Sequence, residues 1–396
     1  MRAIVSINSG SSSIKFAVYR LDEHDTPTLS ANGKIERIGI EPRLKIQTVD
    51  KQIIHQMDWS DGATLSHADL LEYLFDWAKG HLRDTQIVAF GHRVVHGGND
   101  FVAPCCVDDA VLAELEKLCP LAPLHQPHNL AAIRIIAGLS PDIPQIACFD
   151  TAFHHDRPAL TTRFAIPRAL HDAGIRRYGF HGLSYEYIAR RLTELDPALA
   201  GGKVITGHLG NGASLCAMDN GRSIDTTMGF TALDGLMMGT RCGTIDPGVI
   251  IHFQKQMGMQ AAQVEDILYR QSGLLGVSGI SSDMRTLSES SAPEAEEAIE
   301  LFAWRAAREA GALASTLGGL DGFVFTAGIG ENHADVRARI CHRLRWLGAD
   351  IDEEANARHA PIISTPGSKV KLMVIPTDEE RMIALHILSL LYGAKP

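Results

Sequence analysis

Residues 4–18 read IVSINSGSSSIKFAV, and residues 204–218 read VITGHLGNGASLCAM. Each stretch is an apolar run, a small polar turn rich in Gly with Ser or Asn, and a second apolar run, which is how a β-hairpin with a tight tip is written. Asn8 aligns with His208 and Gly10 with Gly210. A tip stripped of bulky side chains lets backbone N–H groups and small hydroxyls come close to an anion. One such tip in each half of the chain predicts a duplicated fold that holds phosphates with both halves.

Outward from the first hairpin, strand-like segments at 33–38, 44–49 and 52–57 extend the sheet as a meander. Apolar residues from Leu65 to Ala78 fall at helical spacing, and Gly80 is the expected helix end. Ile87–Phe90 reads as a buried strand feeding the loop 91–98, and Asp108 as the cap of a helix. The three prolines of 120–127 predict a rigid loop, with a helix from His128 to Gly138 and a strand from Ile143 to Phe149. The second half repeats the plan, with strands at 203–208, 213–218 and 222–225. Helices are expected near 247–257 and 261–271, and over 293–317; a strand at 322–326 precedes helix to about 347, then a strand at 370–375 and a terminal helix. The expected domains are 1–150, joined by the C-terminal helix 381–396, and 151–380.

Composition narrows the function. The 396 residues exceed what one core normally serves, and 45% hydrophobic content with mean hydropathy near zero describes an ordinary folded protein. A net charge of −10 argues against nucleic acid as the main partner, so bound phosphate must be met by local basic residues. The N-terminus has no signal-peptide pattern and no run of about 18 apolar residues occurs, so a cytoplasmic protein without a membrane span is expected. Seven cysteines without a C-x-x-C pair predict free thiols. There is no Walker A loop, G-x-G-x-x-G, H-E-x-x-H or G-x-S-x-G motif.

Polar and charged residues instead concentrate among glycines at strand ends, where function tends to sit. Each such loop alone has a structural explanation: a Gly/Ser tip is a turn, Asp150 can cap a turn, His181 can be a core histidine, and Glu379 and Glu380 suit a helix N-terminus. Together they form a series: INSGSSSIK (7–15), GHRVVHGG (91–98), APLH (122–125), FDTAFH (149–154), RRYGFHG (176–182), HLGNGAS (208–214), TMGFTALDGLMMGTRCGTIDPG (227–248), SSDMR (281–285), FTAGIGEN (325–332) and PTDEE (376–380).

With these motifs the chain resembles the acetate kinase family over essentially its whole length. The resemblance implies an α/β fold of two ribonuclease-H-like domains, of the actin-like ATPase type, related by duplication with an interdomain cleft. It implies direct in-line phosphoryl transfer between ATP and acetate, giving ADP and acetyl phosphate, with Mg²⁺ (or Mn²⁺) and a homodimeric enzyme. Asn8 and Glu379 look like the metal-side residues and Lys15 like a nucleotide-phosphate contact. Arg93 and Arg241 resemble the arginines flanking carboxylate and phosphoryl group, Asp150 the catalytic aspartate, and His181 the residue beside the transferring group. Val95, Leu124 and Phe180 fall where the family lines its acyl pocket. Three segments resemble its nucleotide-binding loops: His208, Leu209, Gly210, Asn211 and Gly212; Asp283, Met284 and Arg285; and Gly328, Ile329, Gly330, Glu331 and Asn332.

The chemistry asks for these residue types. Phosphoryl transfer spreads charge over three equatorial oxygens, so the protein supplies position and positive charge. A carboxylate nucleophile is already ionised at neutral pH and needs no strong base, so Asp150 is expected to orient and stabilise. The chain departs from the usual family pattern at Cys242 and Thr244 after Arg241, at Ala232 where proline is usual, and at Tyr185 after the His181 loop. The alternatives are a kinase for propionate or another short carboxylate and, from a different class, an ATP-gated binding protein of the Hsp70 or actin type. Val95 favours a small acid and Ala232 a larger one.

Overall fold

Both hairpins form in the computed structural model, which describes residues 1–10, 12–81 and 85–393. Ser11, in the first tip, and residues 394–396 of the expected terminal helix lie outside the described residues. The chain divides into two units, one built from Met1–Ala152 with the segment from Asp378 onward, the other from Phe153–Thr377.

In the first unit β1 (Arg2–Ser9) pairs antiparallel with β2 (Ser13–Leu21), placing Asn8 opposite Lys15. The meander continues through β3 (Pro27–Glu36), β4 (Arg43–Thr48) and β5 (Ile53–Asp58). On the other side β6 (Gln86–Val94) runs parallel to β1, and β7 (Cys105–Cys106) and β8 (Gln145–Phe149) complete the order β5-β4-β3-β2-β1-β6-β8-β7. Because β1 reads as a nearly unbroken apolar run, both of its faces must be covered. One face carries Ala3, Val5, Ile7, Phe16 and Val18 against Leu70, Leu71, Leu74 and Phe75 of the His67–His81 helix and Ala132 and Ile136 of the Gln126–Leu139 helix. Over the other face lies the C-terminal helix, Glu379–Tyr392, so close to β6 that a Cβ on Gly91 would stand 2.4 Å from Ile383. Only glycine fits there.

Several expectations are corrected. The first helix starts at His67, where Ser66 and Asp69 cap each other reciprocally, and it runs through Gly80 to His81 instead of ending at that glycine. The helix expected from His128 starts at Gln126: Pro127 lies in its first turn, where a missing N–H is no loss. Strand β6 does not stop before the 91–98 loop but runs on to Val94, so Arg93 is a strand residue. Asp378, Glu379 and Glu380, expected with the second domain, group with the first, because Asp378 caps the C-terminal helix through Arg381 N–H.

The second unit has a five-stranded sheet. β9 (Lys203–Leu209), β10 (Ala213–Asp219) and β11 (Arg222–Thr226) form the antiparallel meander, and β12 (Gly322–Thr326) and β13 (Lys371–Val374) run parallel to β9. The order β11-β10-β9-β12-β13 matches β3-β2-β1-β6-β8 of the first unit strand for strand. The long helix Pro293–Leu317 buries an alanine-rich stripe that includes Ala303, Ala306 and Ala310, and ends at Gly318 with φ +68°. Tyr185, Ile188 and Leu192 of the Gly182–Leu195 helix pack with Val204, Cys216 and Val324 of the sheet. The loop expected at 328–332 is itself a short helix, Ala327–Asn332, and the helix expected to follow it to about 347 is Ala334–Arg343.

The hairpins are not identical. In the first, Asn8 faces Lys15; in the second, His208 faces Ser214, one position earlier. The second tip is one residue shorter, so the residue corresponding to Lys15 is Ser214. In both, the glycine amide closes the tip itself: Gly10 N–H donates to Ser13 C=O at 2.8 Å, and Gly210 N–H to Gly212 C=O at 3.0 Å. Those two amides are therefore used inside the turns.

Candidate active site

In the first unit the site is a product of strand register. Parallel pairing sets Arg93 of β6 beside Cys148 of β8, and Asp150 follows directly, its N–H donating to Val94 C=O. The two side chains then meet as a bidentate pair, Arg93 Nε to Oδ1 at 3.0 Å and Nη2 to Oδ2 at 2.6 Å. Arg93 Nη1 lies 3.6 Å from Glu379 on the C-terminal helix. Burial alone would lower the Arg93 value, but the Asp150 and Glu379 carboxylates outweigh it and hold the guanidinium above its usual range. Asp150 is 1% exposed, so its charge is matched inside the fold by Arg93.

Asn8 and Lys15, directly opposite at the end of the first hairpin, point to the same face. Glu380 is near enough to feel Lys15: burial first and then Glu379 raise its carboxyl, and Lys15 opposes them. Asn8 and Glu379 bring an amide oxygen and a carboxylate, a hard donor set of the kind Mg²⁺ takes while keeping several waters. Val95 is buried, and its N–H donates to Asn129 Oδ1 at 3.1 Å, while Asn129 Nδ2 donates to Ser9 C=O at 2.6 Å. Leu124 is half-buried in the turn before the Gln126–Leu139 helix.

In the second unit the loops carrying His181 and Arg241 meet at the shorter hairpin tip. A methyl placed on Gly212 would stand 2.7 Å from Arg241 Nη2 and 3.3 Å from His181 Nε2. Arg241 is steadied by Nη1 donating to Ala232 C=O at 2.7 Å. His181 adopts φ +59°, in the left-handed region, at the start of the Gly182–Leu195 helix. A non-glycine residue persists there only when its surroundings over-determine it. Its ring stacks on His208 with centroids 4.1 Å apart, and its Nδ1 lies 2.8 Å from Ser214 Oγ. Gly239 N–H donates to Asn211 C=O at 3.0 Å, tying the 238–241 loop to the tip. Phe180 is buried.

The remaining segments carry both structural and accessible groups. Asp283 accepts from Thr286 N–H at 2.9 Å, which holds its carboxyl below the usual range and makes it the cap of the Met284–Ser288 turn of helix. Met284 is core and Arg285 is exposed. His333 is lowered by burial, with Asp283 raising and Arg285 lowering it, so the 283–285 and 328–333 segments are neighbours. Glu331 accepts from Thr377 N–H, and Asn332 Nδ2 donates to Gly328 C=O at 2.9 Å.

Residues 3–385 match the Acetokinase family. An acetate kinase of Rhodopseudomonas palustris is 52% identical over 99% of this chain and 99% of its own length. The chain belongs to the acetokinase family. Among solved structures, a propionate kinase from Francisella tularensis superposes with a TM-score of 0.89 at 37% identity, over 98% of this chain and 99% of that one. An acetate kinase from Porphyromonas gingivalis gives 0.85 at 35% identity, over 99% of this chain and 100% of that one. The α/β architecture of two duplicated actin-like units is that of these acetokinase structures.

Buried polar clamps that hold the acetokinase loops escaped the sequence reading. Gln126 grips the main chain of His96 on both sides, accepting from its N–H at 3.0 Å and donating to its C=O at 2.9 Å. Arg157 donates to the carbonyls of His154, Arg177 and Tyr178, and Arg337 to those of Gly330 and Glu331. Their one signal in sequence is a polar residue on an otherwise apolar face, which does not name its partner. His154 belongs to the same set: its Nε2 donates to Phe180 C=O at 2.9 Å, so its Nδ1 accepts from Ser223 Oγ at 2.7 Å.

Burial first, then Arg157, push His154 down to about 3 from an ordinary 6.5, and burial pushes His92 down to about 4. The folded values lie below the unfolded one, so the unfolded chain takes up these protons first. Their stabilisation is complete above about pH 6.5 and is lost as pH falls toward 4 and 3. The unfolding free energy from urea titration should therefore fall on acidification from pH 7 to pH 4.5, and the midpoint with it, by up to about 1.4 kcal/mol per pH unit for each histidine. His154→Gln should flatten that slope. A wild-type midpoint constant across the range contradicts this account.

Proposed function

We propose that the protein catalyses reversible phosphoryl transfer between ATP and acetate, giving ADP and acetyl phosphate by direct in-line displacement. The observation that carries the reading is the meeting of Arg241 and His181 over the bare α-carbon of Gly212. A cation and an imidazole held beside a tip without side chains suit a group whose charge spreads over three equatorial oxygens. Arg93, fixed through Nε and Nη2 on Asp150 with Nη1 near Glu379, is a planar cation of the kind that meets a substrate carboxylate. Asp150 orients Arg93 and balances its charge; the ionised acetate needs no base.

In this reading Val95, Leu124 and Phe180 limit the acyl group. Lys15 meets nucleotide phosphate, and the segments His208–Gly212, Asp283–Arg285 and Gly328–Asn332 hold the nucleotide. Of these, Met284 contributes main chain only, because its side chain is core. Asn8 and Glu379 would hold Mg²⁺, or Mn²⁺ in its place, which when bound neutralises phosphate charge. The enzyme acts as a cytoplasmic homodimer; among the described residues no helix is long and apolar enough to cross a membrane.

The test is kcat/KM for acetate, propionate and butyrate with ATP. Acetate should rank first, each added methylene costing about 10-fold to 200-fold. A higher value for propionate would overturn the assignment of acetate while leaving the reaction type in place.

A further inference from the structure

His181 is held by a hydroxyl relay that uses one of this chain's departures from the family pattern. Ser214 Oγ lies 2.8 Å from His181 Nδ1 and 2.5 Å from the Tyr185 hydroxyl. Tyr185 and Ser214 are fully buried, and His181 is 8% exposed. The proton positions follow from counting donors and acceptors. The Tyr185 phenol stays protonated, since burial raises it well above its usual value. Among the described residues the hydrogen-bond partner of that O–H is Ser214 Oγ. Ser214 Oγ could accept twice, but its own O–H would then have no acceptor among the described residues, so the Ser214 proton goes to His181 Nδ1.

The opposite arrangement puts the proton on His181 Nδ1 and turns the Ser214 O–H toward the phenol oxygen. That would strand the Tyr185 O–H in the interior without an acceptor, which costs its full desolvation. The stacked neighbour is held similarly, His208 Nδ1 lying 2.8 Å from Ser184 Oγ and Ser184 Oγ 2.8 Å from Thr377 Oγ1.

We propose that Tyr185 is a positioning residue that, through Ser214, fixes His181 as the neutral tautomer with its proton on Nε2. Nε2 is the ring nitrogen beside Gly212 and Arg241. The relay thus gives the ring nitrogen nearest that tip an N–H in place of a lone pair. Its consequence for turnover rests on the role of His181 in the proposed reaction; the tautomer itself does not. The requirement is specific to a phenol or similar donor at position 185, since phenylalanine has the same shape and no proton to give.

The experiment is two-bond ¹H–¹⁵N correlation on the whole protein labelled at histidine, with the His181 signals assigned by their loss in His181→Gln. Wild type should show the Nε2–H tautomer. Tyr185→Phe should show a mixture with Nδ1–H, together with a kcat lower by about tenfold or more and KM values for ATP and acetate nearly unchanged. Ser214→Ala serves as a second variant, expected to release Nδ1 in the same way, and melting temperatures check that each variant is folded. An Nδ1–H tautomer in wild type, or an unchanged His181 signal in folded Tyr185→Phe and Ser214→Ala, overturns the relay. A shifted tautomer with unchanged kcat upholds the relay and removes His181 from the proposed chemistry.

Discussion

Arg241→Ala is expected to lower kcat by about 10³-fold or more while changing the KM for acetate only a few-fold. The reason is what the guanidinium faces. One end is anchored, Nη1 to Ala232 C=O, and the other comes up against the Gly212 α-carbon beside His181 Nε2. A fixed cation there needs no reorganisation when charge develops on the transferring phosphoryl group, so its effect falls on the transition state more than on substrate binding. Arg241→Lys should recover little, because an ammonium cannot keep the Ala232 anchor and offer a planar fork at once. The Ala232 contact is to main chain, so the absence of proline there leaves the anchor intact. Steady-state kinetics in both directions provide the check. A variant with wild-type turnover would remove Arg241 from the reaction.

Asp150 should matter twice. Asp150→Ala leaves the Arg93 guanidinium, 18% exposed, without its bidentate partner in the interior of the first unit. Breaking a buried pair by removing one member costs about 3 kcal/mol, which should appear as a lower urea midpoint. Arg93 would also turn toward Glu379, its remaining carboxylate at 3.6 Å, and away from the position that suits a substrate. Turnover should then fall by about 10²-fold or more, as misplacement of a clamp does. Asp150→Asn separates orientation from proton transfer. An amide oxygen can still accept from Arg93, so part of the activity should return, with a pH profile of wild-type shape. Activity that appears only as an external base is added would instead identify Asp150 as the proton acceptor.

Much of this was legible because duplication leaves two copies of one pattern. The hairpins at 4–18 and 204–218 and the long helix Pro293–Leu317 follow from apolar periodicity, and the matched strand orders bear out the repeat. Errors arose where a local signal has two physical meanings. Gly80 reads as a stop but is tolerated in the last turn of a helix anchored by its packing, and Pro127 reads as a loop but suits a helix start. Arg93 reads as a loop residue because a charge seldom sits in a buried strand, and it sits there because Asp150 answers it one strand away.

The one-residue difference between the hairpins was visible only in register. Ser214 faces His208 as Lys15 faces Asn8, although equal spacing would have matched Lys15 to Leu215. The clamps at Gln126, Asn129, Arg157 and Arg337 were hidden for a different reason. Each acts through main-chain carbonyls or amides, and a main-chain partner leaves no mark in the residue types.

The most direct test of the account is trapping with hydroxylamine. With ATP, Mg²⁺ and acetate, the purified protein should form acetyl hydroxamate in step with ADP release, and should form none when acetate, ATP or the metal is omitted. Release of ADP and phosphate at the same rate with or without acetate, and with no hydroxamate, would mark an ATP-gated protein of another class and contradict the reading of Arg93, Arg241 and His181 given above.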